Sequence, residues 1–300
     1  MFAVVAGGLD VLRVPCNFYA NLPDGNSGEM MQTKNGYLME NSEESLRLSQ
    51  KTDPDAVRKQ ATWCGIKPGM RVLDFGCGPG MTTDIFRDMV QPGGEVVGVD
   101  ISAERIAGAV SSYGGKQGIK FILRDFRKPI RDIGTFDIIW IRFVLEYFRK
   151  ESKEIVENLK SLLNPGGWLC LLDLDYNCLN HYELPDAMKD ILPKLMALLD
   201  EKYNFDTFAG RKLYSYLFDA QYENLQVELM AHHLIYGKAR AADVYNWTKK
   251  IEVTADRLQP LFADYPGGIE GFKEDFRKFF SDPRRFTYTP LILCKGMRPY

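Results

Sequence analysis

Asp74-Phe75-Gly76-Cys77-Gly78-Pro79-Gly80 places three glycines, one residue apart, between an apolar β-rich run and a helix-compatible one. Glycines in such a loop let the backbone approach a ligand and take positive φ. The helix that follows offers N–H groups without partners at its start. The segment therefore suits a nucleotide-like ligand at the carboxyl end of a sheet, and three alternating glycines exceed what a ligand-free turn needs. A GxGxxG dinucleotide loop would need its third glycine where Met81 stands, and no Lys-Ser/Thr pair follows as in a phosphate loop.

Carboxylates recur at matching places. Asp100 ends the next apolar run, where it would accept both ribose hydroxyls or cap the helix after it. Asp125, in Arg124-Asp125-Phe126, would accept an adenine amine or pair with Arg124 or Arg127. Asp74 would take a ligand's ammonium or bond loop amides. For the second reactant the chain offers three histidines, His181, His232 and His233. His181, after the fifth strand, is the candidate general base. His232 and His233 fall in a strand, where one is expected to point inward and one outward. Asp173 and Asp175 would act as base, bind an amine or close the strand end. Phe143, Tyr147, Tyr176 and Tyr182 are aromatic faces that tolerate a cation, or simply core and rim.

The elements that must position these residues alternate. Strands are expected at 71–75, 95–100, 119–123, 136–141 and 168–174, with helices at 81–90, 103–111 and 153–163 between them. Nearly all-apolar strands separated by helices mean a parallel sheet covered on both faces. Upstream, residues 40–64 read as two helices broken at Thr52-Asp53-Pro54. Downstream come helices at 185–203 and 207–220, a strand within 225–236, helices at 243–261 and 268–280, and a closing strand at 286–295. The extra helices exceed what the sheet needs for cover and read as a cap, over about 184–203 and 239–281. Residues 1–36 read as a loosely attached N-terminal arm, and 37–300 as the working domain.

Composition narrows the partners. Of 300 residues 45% are hydrophobic and 26% charged, with a formal net charge of −2. That balance is globular and supplies no strong field for nucleic acid or an anionic membrane. Six scattered cysteines lack the close spacing of a zinc site or redox dithiol, so no metal is expected and the thiols read as reduced, in a cytoplasmic protein. No apolar run reaches the roughly 20 residues of a membrane span. Spacing leaves the oligomeric state open.

VLDFGCGPG, VVGVDIS, RDF, FDIIWIRFVLEYF and LLNPGGWLCLLD, in this order, resemble the motifs of class I S-adenosylmethionine-dependent methyltransferases. The likeness is strongest to the ubiquinone/menaquinone-biosynthesis type and related small-molecule enzymes, and covers about residues 37–175. It implies a doubly wound, Rossmann-like α/β fold with a seven-stranded sheet, mostly parallel with an antiparallel last strand, plus helical cap insertions. It also implies S-adenosylmethionine as cofactor, released as S-adenosylhomocysteine. The cofactor roles carried over fall on Asp74, Gly76, Cys77, Gly78, Asp100, Asp125 and Phe126, with Ile101 against the adenine and Tyr37 and Arg47 covering the ligand. Arg142 would sit near the methionine end. It departs from the small or polar residue usual there, and either binds a substrate carboxylate or forms a salt bridge. The expected reaction is metal-independent methyl transfer to a small-molecule acceptor. A protein or RNA methyltransferase and a NAD-binding oxidoreductase are the alternatives.

Overall fold

The computed structural model describes residues 52–176 and 179–300. The first helix, α1 (Pro54–Cys64), starts where Asp53 accepts hydrogen bonds from the amides of Asp55 and Ala56, with Pro54 at the first helical position. It ends at Gly65 in the left-handed region. Strands β1 (Arg71–Phe75), β2 (Glu95–Asp100), β3 (Ile119–Leu123) and β4 (Phe136–Arg142) then alternate with α2 (Met81–Val90) and α3 (Ala103–Tyr113). A helix α4 (Ser152–Leu159) leads to β5 (Leu163–Leu174), a two-residue β6 (His181–Tyr182) and α5 (Asp186–Tyr203). The chain closes with α6 (Leu213–Asp219), β7 (Glu223–Tyr236), α7 (Ala241–Arg257), α8 (Gly268–Ser281) and β8 (Phe286–Met297).

The strands form one sheet of eight, in the order β3-β2-β1-β4-β5-β8-β6, with β7 also paired to β8. The expected seven become eight because His181 and Tyr182 pair with Thr287 and Phe286 at the start of β8. β1 to β5 run parallel, while β8 is antiparallel to β5 and β7. Chain order reverses at β1, which lies between β2 and β4, so a crevice opens there at the carboxyl ends of the strands.

Successive strand residues face opposite sides of the sheet. Val72, Val96, Ile138 and Trp140 pack with Val57 and Ala61 of α1 and Ile85 and Phe86 of α2. Leu73, Val97, Ile139 and Leu171 pack with Ile155 and Val156 of α4 and Leu213 and Leu217 of α6. This two-residue period, with both faces apolar, is what made the strands readable.

A third cluster stands apart from both. Leu195 and Met188 of α5, Trp247 and Ile251 of α7, and Phe272, Phe276 and Phe280 of α8 share it with Ile235 of β7. These helices lie within segments 184–203 and 239–281. One buried cation ties the cluster to the sheet. Arg285 donates to the carbonyls of Phe280 (2.8 Å), Ile235 (2.9 Å) and Gly237 (3.2 Å). Residues 1–36 lie outside the described residues.

Candidate functional site

The crevice beside β1 is a cleft of about 810 Å³, counting the solvent at its mouth. Gly76, Cys77, Gly78 and Pro79 form one wall, and Asp100 and Ile101 the end of β2. Phe126 and Phe148 close one flank, with Arg142, Phe143, Val144 and Tyr147 from the end of β4 opposite the loop.

The loop is shaped by bonds to its neighbour strand. The amides of Gly76 and Cys77 both donate to the Val99 carbonyl, and the Gly78 amide donates to Asp100 at 2.9 Å. Gly76 has φ 82°, and a Cβ there would stand 2.3 Å from Cγ2 of Val144. A side chain at 76 would push the loop off β4 and fill the cleft. Helix α2 begins at Gly80 with no side-chain cap, so its positive end is left to the cleft.

Asp100 is buried. Its two oxygens accept the amides of Gly78 and Ser102, and Arg105 stands 3.7 Å away. Each carboxylate oxygen has a further lone pair, so ribose hydroxyls can still be accepted. Ser102, not Asp100, caps α3. Phe126 is buried and packs on Phe75 (4.7 Å) and Phe148 (5.2 Å), giving the flank a fixed apolar face. Cys77 is buried, and burial pushes its thiol well above the usual range.

Two expected ligand contacts are engaged by other side chains of the protein. Asp74 lies under the loop and not among the cleft-lining residues, and accepts the Thr83 hydroxyl of α2 at 2.6 Å. Burial raises its pKa to about 7, Asp100 adding to the rise while Thr83 and Arg142 oppose it. Asp125 is also absent from the lining. Its carboxylate takes both Nε and Nη2 of Arg127 at 2.9 Å, which holds its pKa below the usual range. Tyr37 and Arg47 lie outside the described residues.

Arg142 lines the cleft. Burial pulls its pKa down to about 10, against the opposing fields of Asp74, Asp173 and Asp53. Its guanidinium lies 4.2 Å over the ring of Phe143. Asp173 is buried and accepts the amides of Glu146 and Leu174, and Asp175 holds Arg211 with both oxygens. Both carboxylates are thus engaged by other groups of the protein, and Tyr176 and Tyr182 are exposed.

The histidines depart most from the expectation. His181 bonds Oγ1 of Thr287 at 2.9 Å and packs edge-on to Trp247 and Phe279, away from the cleft-lining set. His232 and His233 do not alternate. The register of β7 slips between Ala231 and His233, and the bulge brings the two rings within 4.2 Å of each other. His232 reaches Phe143, a cleft wall, at 4.7 Å. Sequence reasoning also passed over Thr83, Arg105 and Val144. A threonine in the first turn after a glycine loop, and an arginine five residues past Asp100, were the available signals.

The sheet order and the cleft at its reversal define a Rossmann-like, nucleoside-binding architecture. A family model described as a methyltransferase domain matches residues 46–227, more than half of the chain, and the chain belongs to that family. It is similar to an uncharacterized methyltransferase of Schizosaccharomyces pombe, 32% identical over 166 residues, 52% of this chain and 58% of that protein. A ubiquinone biosynthesis O-methyltransferase of Paraburkholderia phymatum is 31% identical over 112 residues, 36% of this chain and 46% of its own. The chain spans about half the length of these curated relatives. Among solved structures, the YcgJ protein of Bacillus subtilis matches with a TM-score of 0.56 at 20% identity, covering 83% of this chain and 100% of that one. Phosphoethanolamine N-methyltransferase 2 of Haemonchus contortus, solved with phosphomonomethylethanolamine and S-adenosylhomocysteine, matches at 0.52 and 14% identity, over 82% of this chain and 53% of its own. These likenesses establish the fold.

Proposed function

We propose that the chain is an S-adenosylmethionine-dependent methyltransferase acting on a small-molecule acceptor in the cytoplasm. The observation that carries the reading is the cleft at the reversal of the sheet, where an open glycine loop faces Asp100, Ile101 and Phe126. These residues suit the cofactor: a carboxylate with spare lone pairs for the ribose, two apolar side chains for the adenine, and a loop that a single Cβ would close. Family membership supports the activity. The related O-methyltransferase and the net charge of −2 support a small acceptor over nucleic acid. Among the described residues no helix is long and apolar enough to cross a membrane.

When bound, the cofactor would supply an activated methyl group: an acceptor lone pair attacks the methyl carbon in line, and the C–S bond breaks to release S-adenosylhomocysteine. The protein's part is then to orient and to exclude water. The glycine loop and Asp100 fix the nucleoside, Phe126 and Phe148 dry its flank, and Phe143 with Tyr147 offers ring faces to the cationic end. His232, beside Phe143, is better placed than His181 to take an acceptor proton. Helices α5, α7 and α8 cap this end of the sheet.

Calorimetry with S-adenosylmethionine and S-adenosylhomocysteine tests the reading. Binding of both, lost on Asp100→Ala, is expected. No heat and no thermal shift at roughly millimolar ligand would refute it.

A further inference from the structure

Two guanidinium groups reach the cleft, and they are treated differently. Arg105 stands 3.7 Å from Asp100. The side chain of Arg142 makes no hydrogen bond and no ion pair among the described residues, and its Nε is buried. None of the three acids whose fields reach it, Asp74, Asp173 and Asp53, pairs with it among the described residues. Asp74 is taken by the Thr83 hydroxyl, and Asp173 by the amides of Glu146 and Leu174. The side chain is partly buried and rests on the Phe143 ring, so its guanidinium keeps donors that an anion in the cleft can use. A guanidinium presents a planar fork of donors that matches a carboxylate with two parallel bonds.

What lies beyond Arg142 is flat. Phe143 holds φ 58°, a costly conformation for a residue with a side chain, and its ring stands between the guanidinium (4.2 Å) and His232 (4.7 Å). The bulge in β7 stacks His233 on His232, and Trp247 of α7 follows at 5.3 Å. Trp247 is 2% exposed, and its Nε1 has no partner among the described residues. A row of rings thus runs from the cleft wall into the cap, with Arg142 at its near end.

We propose that Arg142 binds the carboxylate of the methyl acceptor, and that the acceptor is an aromatic acid whose ring lies along Phe143 and His232. The proposal rests on the methyltransferase reading above. It assigns Arg142 to the acceptor and not to the methionyl carboxylate of the cofactor.

The test is calorimetry on the full chain saturated with S-adenosylhomocysteine, titrated with benzoate and with benzamide as its neutral counterpart. Benzoate is expected to bind in the millimolar range and benzamide about tenfold more weakly. Arg142→Gln should lose benzoate about tenfold or more while its affinity for S-adenosylhomocysteine changes less than about threefold. Arg142→Lys, which keeps the charge but not the fork, should fall between. It decides the matter if the glutamine variant fails to melt cooperatively. The proposal is overturned if Arg142→Gln loses S-adenosylhomocysteine and benzoate alike, if benzoate binds both proteins equally, or if benzoate does not bind the wild type. Should S-adenosylhomocysteine itself not bind, the cofactor reading falls, and the benzoate titration without nucleoside still decides the role of Arg142.

Discussion

Around the glycine loop the buried side chains are Val72, Leu73, Val97 and Ile139; beneath α7 and α8 they are Trp247, Phe272, Phe276 and Phe280. The sheet half is mainly aliphatic, with Phe75, Phe136 and Trp140 among its strand residues, and is set in hydrogen-bonded strands whose register fixes their positions. The second is a cluster of rings, with Phe276 and Phe280 stacked at 5.7 Å and Phe262 against Phe272 at 4.6 Å. Backbone pairing governs the sheet half, and side-chain shape governs the cap. The difference fits the function proposed above, in which strand ends and loop backbone hold the nucleoside and side chains hold the acceptor.

The sharpest way to break the comparison is at the joint. Arg285 satisfies three carbonyls that link α8 to the end of β7, so Arg285→Ala should cost about 5 kcal/mol, at about 1.5–3 kcal/mol per charge-assisted bond. Chemical denaturation reads this. If cap and sheet are energetically separate, the single transition splits into two, with tryptophan emission from Trp247 moving first. One unchanged transition would mean that the cap does not depend on this joint.

Within the sheet half, Asp74 gives a pH signature. Its folded pKa of about 7 lies above the unfolded value, so the native state keeps a proton that the unfolded chain releases. This stabilisation is complete below about pH 4 and is lost as the pH rises through about 7. Between pH 5 and pH 8 the wild type should lose about 3 kcal/mol that Asp74→Asn does not lose. Parallel curves for the two proteins in urea melts would show that Asp74 is not the group responsible.

A smaller effect is expected at Gly76. Gly76→Ala meets Val144 and a positive φ, and should cost about 2 kcal/mol of stability together with about tenfold or more in affinity for S-adenosylhomocysteine. Wild-type affinity in this variant would place the ligand away from the loop.

The smallest effect separates two carboxylates that look alike in the sequence. Asp125 pairs with Arg127 at the surface, so Asp125→Ala should cost under about 1 kcal/mol and change cofactor affinity less than about threefold. A loss at Asp125 as large as that of Asp100→Ala would mean that Asp125 leaves Arg127 for the adenine when the ligand arrives.

Much of the sheet half could be read in advance because its signals are local. Apolar strands, a capped α1 and glycines at the end of β1 each report on a few neighbouring residues, and their order is the order of the sheet's construction. The places left open are those where a local pattern allows two outcomes. Strand alternation sends His232 and His233 to opposite faces, but a bulge four residues before the end of β7 sets them side by side. Arg124-Asp125-Phe126 permits an adenine contact or a loop ion pair, and Arg127 takes the carboxylate. His181 follows the fifth strand as expected, yet pairing with Thr287 turns it under the cap.

The linear order of residues thus determined the family, the glycine loop and the strands that carry it, since each depends on short-range periodicity and backbone freedom. Tertiary structure alone decided which polar groups find partners. Asp74 meets Thr83, Asp125 meets Arg127, and Arg142 meets no acid among the described residues, because a pairing between distant segments is settled only when the chain closes on itself and the strongest nearby donors and acceptors are used up.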